Sequence, residues 1–172
     1  MNNYAFIDAH NLKVSIKNQG WQLDFRKFRI YLRDKYAVSK AFLFLGYIHD
    51  KKSSYDALRR FGFELVFKPT CRLPDGSIKG NVDAELVLHT MIQYNHFDGA
   101  LIVSNDGDFY CLVDYLKNNR KLHKLLIPDQ YSYSSLLRPF RSDMVYMNNL
   151  RVKLLFKKSN TKTRGSNLRT KP

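Results

Sequence analysis

Short apolar runs alternate with longer amphipathic segments along the chain. The apolar runs end in polar clusters or turn residues, which is typical of buried strands. The amphipathic segments have helical spacing, and Asp24 and Gly62 suit a helix start and a helix stop. The pattern predicts strands at 4–8, 41–48, 63–69, 99–105, 121–128 and 144–147, and helices at 12–19, 24–36, 53–61, 81–94, 109–119 and 132–138.

Strands that are almost wholly apolar indicate a mostly parallel sheet covered by helices on both faces. We therefore predict one α/β domain of the Rossmannoid kind, with a central sheet of about five strands. Residues 70–80 interrupt the alternation and predict a loop or a small hairpin around Asp75 and Gly76. The domain is expected to span residues 1–150, followed by a basic, flexible tail at 151–172.

The charge of the chain indicates a polyanionic partner. The 172 residues carry 29 Lys and Arg against 15 Asp and Glu, a net charge of +14. A surface of that sign attracts nucleic acid. The last sixteen residues contain several basic and no acidic residues, so they predict a flexible arm, with a merely solubilising terminus as the alternative.

Two further features of the sequence exclude other classes. No apolar run is long enough to span a bilayer, and the first residues lack a secretion signal, so we expect a soluble, cytoplasmic protein. Cys71 and Cys111 form neither a CxxC motif nor a Cys/His cluster, which excludes a typical zinc site. Cys111 is predicted to lie on the apolar face of its helix.

Aspartates gather where two predicted strands end and one predicted helix begins. Asp8 ends the first strand, Asp106 and Asp108 follow the fourth in SNDGDF, and Asp83 lies in the first turn of the helix from residue 81. In open parallel sheets, ligands bind beyond the carboxyl ends of the strands. If the first and fourth strands are neighbours, all four carboxylates lie within reach of one point.

A cation is the simplest reason for such a cluster in a basic chain. Crowded carboxylates raise one another's pKa unless positive charge lies between them. Oxygen ligands without His or Cys favour Mg²⁺ or Mn²⁺. The alternatives are structural: SNDGDF can be a turn, Asp106 a helix cap, and Asp83 a carboxylate stabilised by the helix dipole.

Three motifs at these positions, IDAHN (7–11), KGNVD (79–83) and SNDGDF (104–109), together resemble the NYN domain of the PIN-like nuclease superfamily, in particular its LabA-like branch. The resemblance covers roughly residues 3–147. It implies a metal-dependent nuclease, usually acting on RNA, in which a cluster of aspartates binds the metal. Many family members have glycine where this chain has Asn105, and aspartate where it has His89, which bears on the number of metals and on activity.

The resemblance and the charge together predict an endonuclease that hydrolyses single-stranded RNA, or single-stranded DNA, with Mg²⁺ or Mn²⁺. Asp8 and Asp106 are the expected direct ligands, with Asp83 and Asp108 ligating the metal or orienting waters. All four are the predicted catalytic residues. The supporting residues are Asn11, Ser104 and Asn105, and the predicted nucleic-acid contacts are Lys51, Lys52, Arg72, Lys79, Arg138 and Arg141.

Other functions remain open at this level. The fold could bind RNA or a protein without turnover, and a homodimer is possible. A phosphohydrolase working through an aspartyl-phosphate needs a second aspartate close behind the nucleophile, whereas Asp8 is followed by Ala9, His10 and Asn11. A histidine-based ribonuclease has no support, because the five histidines are scattered along the chain.

Overall fold

The structure is a computed structural model that describes residues 1–69, 71–72, 78–79 and 82–157, with the backbone alone at 71, 72, 78 and 79. The strands are β1 Asn3–Asp8, β2 Val38–Gly46, β3 Glu64–Lys68, β4 Cys71–Arg72, β5 Ile78–Lys79, β6 Gly99–Val103, β7 Leu122–Ile127 and β8 Met144–Tyr146. The α-helices are α1 Ala9–Asn18, α2 Phe25–Tyr36, α3 Lys52–Arg60, α4 Asp83–Ile92, α5 Tyr110–Asn118 and α6 Arg151–Leu154. Short 3₁₀ helices span His49–Lys51, Tyr94–His96, Gly107–Phe109, Ser135–Asp143 and Met147–Leu150.

Six strands form one parallel sheet in the order β3-β2-β1-β6-β7-β8. The α/β class and the mostly parallel sheet are confirmed, and the strand predicted at 144–147 joins the sheet as β8, its sixth strand. β1 lies between β2 and β6, as the site prediction required. The chain winds outward from β1 in both directions, so the strand order reverses between β1 and β6, and ligands bind at such a reversal.

The central position of β1 follows from its sequence, NYAFID, in which every residue is buried. Neighbouring side chains of a strand point to opposite faces. Ala5 and Ile7 pack into a core with α1, α2 and α3, while Tyr4 and Phe6 pack into a second core with α4 and α5. A strand that is apolar on both faces must lie inside a covered sheet.

Helix starts differ from the sequence prediction in two places. α1 begins at Ala9, three residues early, because the Asp8 side chain caps it directly at the strand end. The helix predicted from residue 109 is preceded by the 3₁₀ turn Gly107–Phe109. α2 starts as predicted, with the Asp24 carboxylate accepting the Lys27 N–H at 3.0 Å.

Residues 70–80, predicted as a loop or a small hairpin, contain two short strands among their described residues. β4 and β5 pair antiparallel, with Cys71 opposite Lys79 and Arg72 opposite Ile78. The proposed turn residues, Asp75 and Gly76, lie outside the described residues.

Two placements of the sequence analysis change. Cys111 is exposed, so its prediction was wrong: the buried face of α5 is formed by Leu112, Val113 and Leu116. The predicted domain boundary at residue 150 also moves, because Leu154 is buried and Leu155 pairs with Leu23. The chain packs on the domain as far as residue 156, and residues 158–172 lie outside the described part. Within the residues that are described, no helix has the length and apolar character to cross a membrane.

Candidate metal and active site

Three aspartates meet at the carboxyl edge of the sheet, beside the point where strand order reverses. Asp83 opens α4, and Asp106 and Asp108 lie in the loop after β6. Each offers one carboxylate oxygen, and these oxygens lie within 4.8 Å of one another. Asp83 and Asp106 are half-buried and Asp108 is exposed, so the cluster is open to solvent on one side. Neither Asp106 nor Asp108 forms an ion pair with a described residue.

Local hydrogen bonds give SNDGDF its shape. The Asp106 carboxylate accepts the Asp108 N–H at 3.0 Å and caps the 3₁₀ turn. The buried Ser104 hydroxyl accepts the Asp106 N–H at 3.1 Å. The turn and the acidic cluster are therefore not alternatives: the capped turn is what holds Asp106 and Asp108 side by side.

Asn11 and Asn105 join α1 to the acidic loop. The Asn11 side-chain oxygen accepts the Asn105 N–H at 3.1 Å, and the Ser15 hydroxyl donates to the Asn105 side-chain oxygen at 3.2 Å. These bonds fix the end of β6 against the helix that follows Asp8. The asparagine at 105 thus has a packing role that a glycine could not fill.

Asp8 lies beside the cluster and is not one of its three members. Its carboxylate is buried and accepts the N–H groups of His10 and Asn11, both at 3.0 Å. Burial raises the pKa of Asp8, and the nearby charge of Asp83 raises it further, although the two backbone N–H groups act in the opposite direction. The predicted direct ligand is therefore placed as a buried helix cap next to Asp83.

A glycine between the two loop aspartates permits close contact with the segment after β7. A Cβ on Gly107 would lie 2.2 Å from the Ser134 hydroxyl oxygen and 2.8 Å from the Ser134 Cβ. The Asn105 carbonyl accepts the Ser134 N–H at 3.0 Å, and the Asn105 side chain donates to the Ser132 carbonyl. The sequence analysis missed this contact, whose only signal is a glycine inside the acidic motif.

A partly buried polar network holds the start of the same segment. The Asn148 side chain donates to Gln19 at 2.9 Å and to Asp129 at 3.3 Å, and its oxygen accepts the Gln130 N–H at 2.9 Å. Asp129 also accepts the Tyr131 N–H at 3.0 Å. The loop that touches SNDGDF is therefore anchored at its base.

His89 lies away from the acidic cluster, on the second face of the sheet. Its ring contacts Phe42 and Phe44, with centroid distances of 4.7 and 5.7 Å. Its Nε2 is buried and, among the described residues, has no hydrogen-bond partner. Burial lowers the pKa of His89 and so favours the neutral ring, although the charge of Glu64 acts in the opposite direction.

The predicted nucleic-acid residues fall on several elements. Lys51 ends the 3₁₀ helix that follows β2, and Lys52 begins α3; both are exposed. Arg138 and Arg141 are exposed on the 3₁₀ helix after β7. Arg141 donates to the Tyr133 hydroxyl at 3.4 Å. Arg72 and Lys79 lie on the hairpin, and their side chains are outside the described part.

One ion pair near the site was missed. Lys68, the last residue of β3, lies 3.2 Å from the carboxylate of Glu85 in the first turn of α4. Glu85 follows Asp83 by two residues, which is the signal that could have indicated a further acid at this edge. The Glu85 carboxylate is instead paired with Lys68 at the end of β3.

The parallel sheet and the acidic cluster at its reversal point agree with the resemblance to the PIN-like nuclease superfamily that the three motifs predict. The family model of the NYN domain matches residues 4–148, and the chain therefore belongs to the NYN domain family of that superfamily. Assignment to the LabA-like branch stays a prediction.

A solved structure shares the fold. It is a protein of unknown function, VPA0982, from Vibrio parahaemolyticus RIMD 2210633, similar with a TM-score of 0.74 and 21% identity over 90% of this chain and 96% of that one. At this identity the likeness concerns the fold alone. No match was found among curated proteins.

Proposed function

We propose that the protein is a metal-dependent endoribonuclease that hydrolyses single-stranded RNA. The observation that carries the proposal is the convergence of oxygens from Asp83, Asp106 and Asp108 within 4.8 Å of one another at the reversal point of the sheet. Membership of a nuclease superfamily supports the reaction class. The excess of 29 basic over 15 acidic residues supports a polyanionic substrate.

The donor set suits a small divalent cation. Two oxygens on opposite sides of a Mg²⁺ ion are about 4.2 Å apart, since each Mg–O distance is about 2.1 Å. The separations in the cluster, at most 4.8 Å, exceed this span by no more than about 0.6 Å. The described cluster has no His or Cys, which favours Mg²⁺ or Mn²⁺ over Zn²⁺. Asp83, Asp106 and Asp108 would hold the ion, and Asp8 would lie behind them.

The residues of the chain have distinct parts in this proposal. A bound divalent cation supplies a water of lowered pKa and positive charge against the phosphate. Asp8 sets the position of α1 through its cap, and Asn11 links that helix to the loop that carries Asp106 and Asp108. Attack by water leaves a 5′-phosphate, so products ending in a 2′,3′-cyclic phosphate would contradict the mechanism.

Substrate contacts are assigned to exposed basic residues around the cluster. Lys51, Lys52, Arg138 and Arg141 are exposed, and lysines and arginines of this kind neutralise phosphates. Arg72 and Lys79 extend the set through the hairpin. We propose unpaired RNA as the substrate, with single-stranded DNA of the same sequence as the comparison.

The decisive experiment compares wild type with Asp106→Asn on labelled single-stranded RNA, in Mg²⁺, in Mn²⁺ and in a chelator. Loss of a metal-binding carboxylate should lower the cleavage rate by at least about 100-fold. Asp34→Asn is the matched control, because Asp34 is exposed and lies at the end of α2 far along the sequence from the site. Cleavage that persists in chelator, or at the same rate in Asp106→Asn, would rule out the proposed site.

The second candidate is a module that binds RNA, or serves as an adaptor, without turnover. The observation that favours it is His89, which stands where many family members have an aspartate and packs between aromatic rings. Binding measured by fluorescence anisotropy separates the two. Equal RNA binding by wild type and Asp106→Asn, with cleavage by neither in any metal, would favour the module.

A further inference from the structure

An open groove runs along α1, on the face of the sheet opposite α4. It has a volume of about 730 Å³, a size typical of ligand sites. Its walls are α1, α3, the segment that joins α1 to α2, and the end of the described chain. The residues that matter below are Lys13, Lys17, Trp21, Phe25, Phe61 and Phe156.

The groove begins near the carboxyl edge where the acidic cluster lies. α1 starts directly after Asp8, and Lys13 follows five residues later, about 7.5 Å along the helix. Asn11 and Ser15 face Asn105, whereas Lys13 and Lys17 face the groove. A chain that leaves the cluster over α1 therefore meets this groove.

Aromatic side chains form much of the groove wall. Phe156 is 44% exposed, Phe25 and Phe61 are half-buried, and Trp21 closes the wall with 6% exposure. Aromatic faces of this kind stack with unpaired bases regardless of sequence. Because the wall is formed by several elements of the folded domain, it is present before a ligand arrives.

Positive charge lines the same groove and is not neutralised by the described residues. Lys13 and Lys17 take part in no ion pair with them. Desolvation lowers the pKa of Lys13, and repulsion from Lys51 lowers it further. The one acid of the lining, Asp24, already caps α2 and lies 3.8 Å from Lys27. The groove therefore suits a ligand with both aromatic rings and negative charge.

We propose that this groove is a second RNA-binding site, in which Lys13 and Lys17 hold phosphates and the aromatic wall stacks with bases of the strand that leaves the acidic cluster. The proposal rests on the proposed function in so far as the strand is the same RNA that is cut. It adds a fixed path for the substrate on one side of the scissile bond. It also separates binding from cleavage, because the groove contains no member of the acidic cluster.

The basic tail of the chain is the rival occupant, since the described chain ends at Lys157, next to Phe156. Its charge argues against it, because residues 158–172 are basic and contain no acid, and the groove already carries two lysines that form no ion pair with a described residue. Like charges would have to approach without a counterion. RNA has the complementary sign.

Trp21 provides a local readout, because it is the single tryptophan of the chain and lines the groove. We expect an oligouridylate, added to the full chain in chelator so that it stays intact, to quench Trp21 fluorescence to saturation. Lys13→Gln/Lys17→Gln should weaken this binding at least about tenfold and lower the log–log salt slope by roughly 1.4, since each phosphate contact on a single strand contributes about 0.7. Phe156→Ser should weaken it about tenfold through lost stacking.

The matched control removes the same charge elsewhere. Lys35→Gln/Arg120→Gln changes two exposed residues at the amino edge of the sheet, before β2 and β7, and should bind almost as wild type does. Asp106→Asn should keep the quenching. If RNA binds by anisotropy while Trp21 emission stays constant, or if the control pair weakens binding as much as the groove pair, the proposal is wrong.

Two further outcomes also overturn it. Uridine monophosphate that binds as tightly as the oligonucleotide would make the groove a mononucleotide site. A shift of Trp21 emission in Arg164→Gln/Arg169→Gln without RNA would place the tail in the groove. If the wild-type chain cleaves RNA in no metal but RNA still quenches Trp21, only the proposed nuclease activity is contradicted. If it cleaves RNA but RNA does not quench Trp21, only the groove proposal is contradicted.

Discussion

The two ends of α4 place ionisable side chains in opposite surroundings. At its first residue, Asp83 lies half-buried with Asp106 and Asp108, open to solvent and close enough to share a cation. Near its other end, His89 lies against Phe42 and Phe44 with a buried, unpartnered Nε2 within the described structure. Asp8 combines features of both ends, because its carboxyl group is buried and lies next to Asp83.

This difference shows that position along one helix decides whether an acid can be used. The start of α4 offers a helix N-terminus and solvent, both of which favour a carboxylate. The side of α4 at residue 89 offers aromatic rings, which favour a neutral group. The absence of a carboxylate at 89 therefore leaves the three-aspartate cluster unchanged in this chain.

The largest expected effect comes from placing a carboxylate at both ends of α4. His89→Asp would bury a carboxylate against Phe42 and Phe44, and should lower the free energy of unfolding by at least about 2 kcal/mol. Urea unfolding measures it, with His89→Phe as the control that keeps a ring and removes the unpaired nitrogen. Unchanged stability in His89→Asp would mean that the site at residue 89 is not enclosed as described.

A smaller effect is expected from moving the loop that carries Asp106 and Asp108. Gly107→Ala places a Cβ against Ser134 and should cost about 1–3 kcal/mol of stability, as overpacking does elsewhere. Ser134→Gly removes the two nearest atoms, so the double variant should recover much of the loss. A double-mutant cycle by thermal unfolding checks this, and additive effects would exclude the contact as the cause.

Substitutions of Asp8 can separate the effect of its hydrogen bonds to the start of α1 from the effect of its negative charge. Asp8→Ala removes the cap of α1 and should cost about 1 kcal/mol. Asp8→Asn keeps an oxygen for the His10 and Asn11 N–H groups, so its stability should stay near that of wild type. Denaturant unfolding compares the two. If Asn destabilises as much as Ala, the negative charge itself holds the helix start.

The smallest expected effect concerns pH. Burial lowers the pKa of His89 and of His123, so the unfolded chain takes up protons more readily than the folded one. The contribution of these two histidines to the free energy of unfolding is therefore fully present above the pKa of an unfolded histidine, about 6.5. It is lost progressively as the pH drops below that value. Unfolding across this range should show a flatter profile for His89→Phe than for wild type. Parallel profiles would contradict a lowered pKa of His89 in the folded chain.

The sequence predicted the fold well where strands are apolar on both faces, as in NYAFID and GALIV. Of the four aspartates predicted to meet, the structure brings Asp83, Asp106 and Asp108 together at the edge that the strand ends of a parallel sheet share. The sequence did not show that the Asp8 carboxylate caps α1 and lies outside the cluster, since a carboxylate that caps a helix and one that binds a metal look the same in the sequence. The contact of Gly107 with Ser134 joins segments distant in the sequence, and no periodicity reports such a contact. Cys111 was misplaced because α5 turns its more apolar residues inward.

The central position of β1 has a consequence for how the chain acquires its structure. β1 is synthesised before β6, yet the two strands are neighbours in the sheet, with Tyr4 opposite Ala100. Until β6 arrives, the most apolar edge of the sheet is unpaired and its carbonyl and N–H groups are available to other chains. Pairing across such a sequence distance is slow. Synthesis and refolding of this protein should thus pass through an aggregation-prone interval that ends only when β6 docks.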